Sequence, residues 1–255
     1  MIKPFHFTLG ALLIASGCSS ALAATVPAGT QLAEKQEIVR HIKDEPASLD
    51  PVKAVGLPEI QVIRDLFEGL TNQDAQGNIV PGVAKSWQSN DNKTWTFNLR
   101  KDARWSNGDP VTAYDFVDSW RRLVDPANTS SFAWFAELAG IQHAGAIVKG
   151  EMPADKLGVT ALGDYRLQVT LDKAVPYFAS LAAHFSLYPT PQKVIKKFGN
   201  DWTKVGNLVG NGAYTLQQRV VNEKIVLERN ENYWDNAHSV LTKVTFVPIS
   251  EESSA

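Results

Sequence analysis

Residues 94–116 read TWTFNLRKDARWSNGDPVTAYDF, and this stretch combines the signals of a strand, a turn and the start of a helix. Trp95, Phe97 and Leu99 alternate with polar residues, and an alternation of period two is typical of a half-buried strand. Asn107-Gly108 is a strong turn signal because glycine tolerates backbone angles that other residues avoid. The stretch therefore predicts a chain that leaves a sheet, turns and enters a helix.

The predicted helix begins at Thr112, because Asp115 follows three residues later and the two can form a capping box. It ends before Pro126, since proline cannot continue a helix. Its apolar residues recur on one face, and they are Phe116, Val117, Trp120 and Leu123.

Two tryptophans thus fall on apolar faces, Trp95 on the strand and Trp120 on the helix. Burying a side chain of this size stabilises a protein by roughly 1.5–3 kcal/mol or more. We therefore expect both in the core rather than in a flat platform for a ligand. Trp87 and Trp105 lie at segment ends, and the pattern leaves their place open.

Elsewhere the sequence alternates between short strands and helices, with proline-rich connections between them. Strands are predicted over 37–42, 166–172, 214–218, 224–228 and 241–247, and helices over 59–70, 132–141, 175–181 and 193–198. Three prolines, at 46, 51 and 58, favour extended chain before the first helix. The sum is a mixed α/β (α+β) protein.

Composition and motifs exclude several classes of function. The 255 residues are 44% hydrophobic and 20% charged with a formal charge of −2, which is an ordinary globular composition without the basic patch that nucleic acid requires. The histidines at 41, 143, 184 and 238 are not at metal-ligand spacing, and no catalytic motif is found. We predict no nucleic acid partner, metal, cofactor or catalytic residue, and hence no enzyme.

Residues 1–23 have the pattern of a secretory signal peptide. Lys3 precedes an apolar run that is too short to span a bilayer, and Ala21-Leu22-Ala23 supplies small residues for cleavage before Ala24. Cys18 offers the alternative of a lipid anchor, which we place second because Ala15 stands where a lipoprotein signal usually has leucine. We expect a periplasmic protein, and the mature chain then has no cysteine.

A series of sequence blocks resembles the periplasmic peptide-binding proteins of ABC importers, known as solute-binding protein family 5. The blocks keep the order of the family, and they are SLDP (48–51), RDLFEGL (64–70), PGVAKSW (81–87), WTFNLRKDARWSNGDPVTAYDF (95–116), SWRRLVDP (119–126), NGAYTL (211–216), VVNEKIVLERN (220–230) and YWDNA (233–237). Residues 41–70 are most similar to the oligopeptide- and murein-peptide-binding branch.

The resemblance implies a lobe of the periplasmic binding protein type II kind with a smaller inserted domain. Residues 24–67 and 192–255 would build part of lobe I, and 68–191 the insertion. Family members are about twice as long, so we expect a fragment that stops before the second large lobe and binds peptide weakly or not at all. The implied partners are a peptide ligand and an inner-membrane ABC permease complex, and the implied state is a monomer.

The resemblance carries ligand contacts to two places. Val55-Gly56-Leu57 matches the extended segment that pairs with the peptide backbone, and Phe132 with Trp134 matches the loop that presents an aromatic side chain. From the residues alone, a structural loop is the favoured interpretation of the first place, and the resemblance reverses that preference. Trp134 is equally a core residue or a ligand contact. The broad oligopeptide binders have an acid in place of Val55 and a tyrosine in place of Phe132, so this chain agrees better with the murein-peptide branch.

Two further functions stay open at this point. One is a dipeptide- or heme-handling member of the same family. The other is a secreted carbohydrate-active enzyme whose tryptophans form sugar platforms, and this alternative requires Trp95 and Trp120 to be exposed.

Overall fold

The computed structural model describes residues 26–250. Its strands, in chain order, are β1 (Glu37–Ile42), β2 (Thr71–Gln73), β3 (Ile79–Pro81), β4 (Ala84–Gln88), β5 (Thr94–Leu99), β6 (Val159–Ala161), β7 (Arg166–Thr170), β8 (Tyr214–Val220), β9 (Lys224–Arg229) and β10 (Lys243–Pro248). Its α-helices are α1 (Leu57–Leu66), α2 (Ala113–Val124), α3 (Ala133–Leu138), α4 (Ala144–Val148), α5 (Phe178–Leu181) and α6 (Gln192–Phe198). The predicted mixed α/β class is confirmed.

The first sheet joins the two ends of the described chain. Its strand order is β1-β10-β9-β8, in which β1 runs parallel to β10 and the other neighbours are antiparallel. Ile42, Ile225, Leu227 and Phe246 bury their side chains beneath it. Because β1 pairs with a strand 206 residues later in the register Glu37↔Lys243, this sheet depends on long-range closure.

The second sheet is antiparallel and has the order β4-β5-β7-β6. In β5, Trp95, Phe97 and Leu99 face the core, and the intervening residues are only partly buried. Helix α2 packs on this side and carries the expected capping box between Thr112 and Asp115. The stretch quoted at the outset therefore folds as its pattern predicts.

The burial of the tryptophans answers the question of platform or core. Trp120 is fully buried and donates from Nε1 to the carbonyl oxygen of Leu187 at 2.8 Å, and Trp95 is 6% exposed. Trp105 is also buried and Trp87 is half-buried. The sugar-platform alternative is wrong by its own criterion, because Trp95 and Trp120 lack an exposed face.

Helix α1 is shorter than its apolar spacing predicts. It ends at Leu66 instead of Leu70, because the next residues enter extended pairing: Val83 N–H donates to Gly69 at 2.9 Å and Ala84 N–H to Leu70 at 2.9 Å. The predicted helices over 132–141 and 175–181 likewise shrink to α3 and α5. Tertiary hydrogen bonds override local propensity at these ends.

The other elements that were predicted correspond to β1, β7, β8, β9, β10 and α6. The predicted domain boundaries at 67/68 and 191/192 stay a prediction. The predicted signal peptide and Cys18 lie outside the described residues. Among residues 26–250, none of the helices combines the length and apolarity that a membrane crossing requires.

Candidate functional site

The loop before helix α1 is fixed by a buried carboxylate. Asp50 accepts a hydrogen bond from the backbone N–H of Val52 at 2.9 Å and another from Trp202 Nε1 at 3.3 Å. Arg122, on helix α2, donates to both of its oxygens at 2.9 and 2.5 Å. Lys53 adds a contact to the carbonyl of Asn128. The loop that leads to Val55 is therefore anchored on two sides.

The segment Val55-Gly56-Leu57 is positioned by the next turn of the chain. Glu59 is buried, and its carboxylate accepts from Gly56 N–H at 3.0 Å and from Ala47 N–H at 2.8 Å. Val55 is 58% exposed and Leu57 72% exposed, so apolar side chains lie on the surface beside an extended backbone. A Cβ atom on Gly56 would meet nothing closer than 3.8 Å, which leaves the space above this backbone open.

Part of the backbone of this segment is unpaired, although the N–H of Gly56 is held by Glu59 and its C=O accepts from Ile60 N–H. Within residues 26–250, no hydrogen bond is found for the N–H and C=O of Val55 or for the N–H of Leu57. Exposed main-chain donors and acceptors of this kind can pair with a second extended chain.

Phe132 and Trp134 belong to a group of rings that we call the aromatic shelf, which consists of Phe132, Trp134, Phe135, His184 and Phe185. Phe132 packs edge-on against Phe185 with ring centroids 4.8 Å apart, and it lies 6.2 Å from Trp134. Trp134 is 50% exposed, so it is not a core residue. Its partner Phe132 is half-buried and supports it.

His184 is a member of the shelf that sequence reasoning did not single out. Its ring stacks on Phe135 with centroids 3.8 Å apart, and burial lowers its pKa to about 4, with the charge of Arg64 acting in the same sense. Its Nδ1 accepts from the backbone N–H of Ser186 at 3.3 Å. We therefore expect an imidazole that is neutral at pH 7 and carries its proton on Nε2.

A pocket of about 300 Å³ opens between the shelf and helix α1. We call it the shelf pocket, and its lining includes Ile60, Arg64, Phe135, Leu181, His184 and Phe185. No sequence signal predicts it, because the two sides lie far apart along the chain.

A second group missed from the sequence surrounds Glu68, just after α1. Its buried carboxylate accepts from Tyr233 Oη and Trp234 Nε1, each at 2.6 Å, and Arg100 stacks over the Trp234 ring at 3.4 Å. Burial raises the pKa of Glu68 to about 7, although these hydrogen bonds and Arg100 oppose the shift. This cluster ties the residue after α1 to the segment after β9.

Chemically, these places combine exposed main chain, aromatic surface and a pocket. Within the part of the chain that the structure describes, no group of histidine, cysteine and acidic side chains is arranged to hold a metal ion. The arrangement is suited to holding an extended, amide-rich molecule against β-like backbone and aromatic rings.

The chain belongs to the bacterial extracellular solute-binding proteins of family 5. Residues 78–255 match the family described as "Bacterial extracellular solute-binding proteins, family 5 Middle". This result agrees with the resemblance seen in the sequence blocks.

Named relatives narrow the comparison. The chain is 62% identical over 243 residues to the periplasmic murein peptide-binding protein MppA of Escherichia coli K12, covering 95% of this chain and 45% of that protein. It is 51% identical over 243 residues to the periplasmic oligopeptide-binding protein OppA of Salmonella typhimurium, again covering 95% and 45%. The chain thus spans about half the length of the relatives it matches.

Solved structures give the same result for the fold. The structure of the Escherichia coli murein tripeptide binding protein MppA matches with a TM-score of 0.84 at 63% identity, over 86% of this chain and 43% of that one. Haemophilus influenzae OppA in complex with the peptide RPPGFSPFR matches with a TM-score of 0.86 at 48% identity, over 88% and 44%. The fold is therefore that of the corresponding part of family 5 binding proteins.

Proposed function

We propose that this protein captures peptides in the periplasm for an ABC importer, as a binding protein and not as an enzyme. The observation that carries the proposal is the exposed segment Val55-Gly56-Leu57, in which the N–H and C=O of Val55 and the N–H of Leu57 have no partner within residues 26–250. Helix α1, which begins at Leu57, lines one pocket together with rings of the aromatic shelf. A peptide strand added here gains main-chain hydrogen bonds that do not depend on its side chains. The binding that the MppA and OppA names describe supports this choice of ligand.

The ligand contacts are assigned to Val55, Gly56 and Leu57 for the backbone and to Phe132 and Trp134 for side-chain surface. Trp134 presents a half-exposed ring on which a ligand side chain can stack. Such stacking stabilises many kinds of side chain and does not select one of them. The predicted weak affinity follows because one extended edge and one aromatic ring offset little of the entropy lost on association.

Amide NMR of the exported form, residues 24–255, tests the site even when binding is weak. Trialanine, titrated to millimolar concentration, is expected to shift the amide signals of residues 55–57 and the indole signal of Trp134. In a matched trialanine with N-methylated peptide bonds, the N–H groups that would donate hydrogen bonds to the C=O of Val55 are missing. The signal shifts that this peptide causes are expected to be several-fold smaller. Shifts elsewhere, or equal shifts with both peptides, contradict the backbone-pairing site.

The same titration tests the absence of catalysis. Trialanine recovered after a day with the protein is expected to be intact by mass spectrometry, and alanine or dialanine in amounts that scale with the protein contradicts a pure binding role.

Export is the cellular part of the proposal. Expression of the full chain with residues 1–23 is expected to yield a periplasmic protein whose N-terminus is Ala24 by intact mass. A mass that corresponds to a diacylglyceryl group on Cys18 would show the lipid-anchored alternative instead.

A further inference from the structure

The shelf pocket contains hydrogen-bond donors and a cation but no acid. Its polar side chains include Arg64, His184 and Gln73, and its lining includes neither aspartate nor glutamate. Ile60, Leu181 and Phe185 supply apolar wall beside them. Such a pocket fits an anionic group on an apolar stem better than a cation or a purely apolar side chain.

Arg64 is available for a ligand. Among the ion pairs within residues 26–250, none involves Arg64, whereas the acid next to it, Asp65, faces Arg40 at 3.8 Å. A guanidinium has five donors and matches the two oxygens of a carboxylate. Arg64 is exposed, so it can move toward a ligand without unfolding helix α1.

His184 lines the pocket together with Arg64 and is a second candidate donor. Nδ1 lies 3.3 Å from the backbone nitrogen of Ser186 and 2.8 Å from its Oγ, so we expect Nδ1 to accept and the ring proton to be on Nε2. No hydrogen bond to Nε2 is found in the stretch from residue 26 to residue 250. Burial against Phe135 keeps this ring neutral, so it can donate to an anion without competing for charge with Arg64.

The pocket is built from neighbours of the residues assigned to the peptide. Its walls Phe135, His184 and Phe185 are the rings that pack against Phe132 and Trp134, and Ile60 lies one turn after Leu57 on helix α1. We therefore expect a peptide paired with residues 55–57 to lie next to the opening of the shelf pocket.

We propose that the shelf pocket is a carboxylate subsite, in which Arg64 and the Nε2–H of His184 hold an acidic group on an aliphatic stem, either a side chain or the carboxyl terminus of the peptide. This inference rests on the proposed peptide-binding function and gives it a preference for acidic peptides.

Two matched peptide pairs test it by NMR titration of the exported form, residues 24–255. Ala-Glu-Ala amide against Ala-Gln-Ala amide isolates a side-chain carboxylate, and trialanine against its amide isolates the terminal one. We expect the acid of one pair to bind about two- to fivefold more tightly, the range of a solvent-exposed ion pair, with shifts at residues 60–64 and 184. A preference in either pair supports the subsite and identifies its source.

Variants separate the subsite from the rest of the site. Arg64→Gln is expected to abolish the preference, so that Ala-Glu-Ala amide and Ala-Gln-Ala amide bind with equal affinity, and Arg64→Lys is expected to restore part of the preference. Arg166→Gln, at an exposed position of β7, is the matched control and is expected to behave as the parent protein. Equal affinities in both pairs, or a preference that survives Arg64→Gln, overturn the subsite but leave peptide binding intact. No response of residues 55–57 to any peptide overturns the proposed function itself.

Discussion

The guanidinium of Arg122 and the carboxylate of Asp50 form a two-point ion pair, with Nη1–Oδ1 at 2.9 Å and Nη2–Oδ2 at 2.5 Å. Both side chains are mostly shielded, at 16% and 5% exposure. The pair connects helix α2, which packs on the second sheet, with the loop that precedes Val55. The candidate peptide-binding edge is therefore positioned by residues that lie 72 positions apart in the chain.

Arg122→Gln is expected to lower the free energy of unfolding by about 3 kcal/mol, because it leaves the Asp50 carboxylate buried without its charge partner. Urea denaturation at pH 7 measures the change. The matched control is Lys204→Gln, which breaks a pair with Asp201 whose side chains are 66% and 60% exposed, and it is expected to cost less than about 1 kcal/mol. Equal costs for the two variants contradict the anchoring role.

Glu68 is expected to make stability fall as pH rises. The carboxyl keeps its proton up to a pKa of about 7 in the folded protein but loses it near 4.5 when unfolded, so the folded state binds more protons between these values. The slope from this group alone is at most about 1.4 kcal/mol per pH unit.

Urea denaturation of the parent protein and Glu68→Gln, at pH values from 5 to about 8, isolates this effect, because all other titrating groups are shared. The stability of the parent relative to the variant is expected to decline across the window. A constant difference shows that Glu68 is ionised throughout, with its charge balanced by Tyr233, Trp234 and Arg100.

His184 is expected to be neutral at pH 7 with its proton on Nε2, and its pKa is expected to be about 4. Because this value lies below the ordinary 6.5, the unfolded chain takes up a proton first, and the contribution of His184 to stability is lost as pH falls from 6.5 towards 4. Long-range ¹H–¹⁵N spectra identify the tautomer and the midpoint, and His184→Gln assigns the signal. A midpoint near 6.5 would contradict the stacked, buried ring.

Substitutions at two tryptophans are expected to affect different properties, the stability of the fold at Trp120 and the binding of peptide at Trp134. Trp120→Phe removes the hydrogen bond to Leu187 and leaves a cavity, at a cost of about 2–3 kcal/mol. Trp134→Ala is expected to cost less than about 1 kcal/mol because half of the ring already faces solvent, yet it weakens the response of residues 55–57 to trialanine. If Trp134→Ala destabilises as strongly as Trp120→Phe, Trp134 is a packing residue and not a ligand contact.

Gly212 and Gly56 differ in the space that their surroundings leave for a Cβ atom. A Cβ on Gly212 would lie 2.6 Å from the carbonyl carbon of Leu66 and 2.7 Å from the oxygen of Asp65, so Gly212→Ala is expected to destabilise by about 1–3 kcal/mol. Gly56→Ala meets nothing within 3.8 Å at an extended φ of −165° and is expected to be tolerated. Thermal unfolding of both variants measures the two losses of stability. The prediction is wrong if Gly56→Ala lowers the unfolding temperature more than Gly212→Ala does.

Local patterns predicted most of the regular structure. The alternation Trp95-Phe97-Leu99 and the capping box of Thr112 with Asp115 specify their elements because both signals act within a few residues. The end of helix α1 was predicted wrongly, since hydrogen bonds from distant residues, such as Gly212 N–H to Leu66 at 2.9 Å, decide where it stops.

The sequence by itself determined the fold class, the burial of Trp95 and Trp120, and the family, because short-range periodicity and ordered motif blocks carry that information. Only the tertiary structure decided that Trp134 lies outside the core, that Arg64 and His184 line one pocket, and that Glu68 is enclosed by Tyr233 and Trp234. The physical reason is that exposure, pocket shape and desolvation depend on chain segments that are distant in the sequence, such as Glu68 and Tyr233, which are 165 positions apart, and no local pattern records which of them meet.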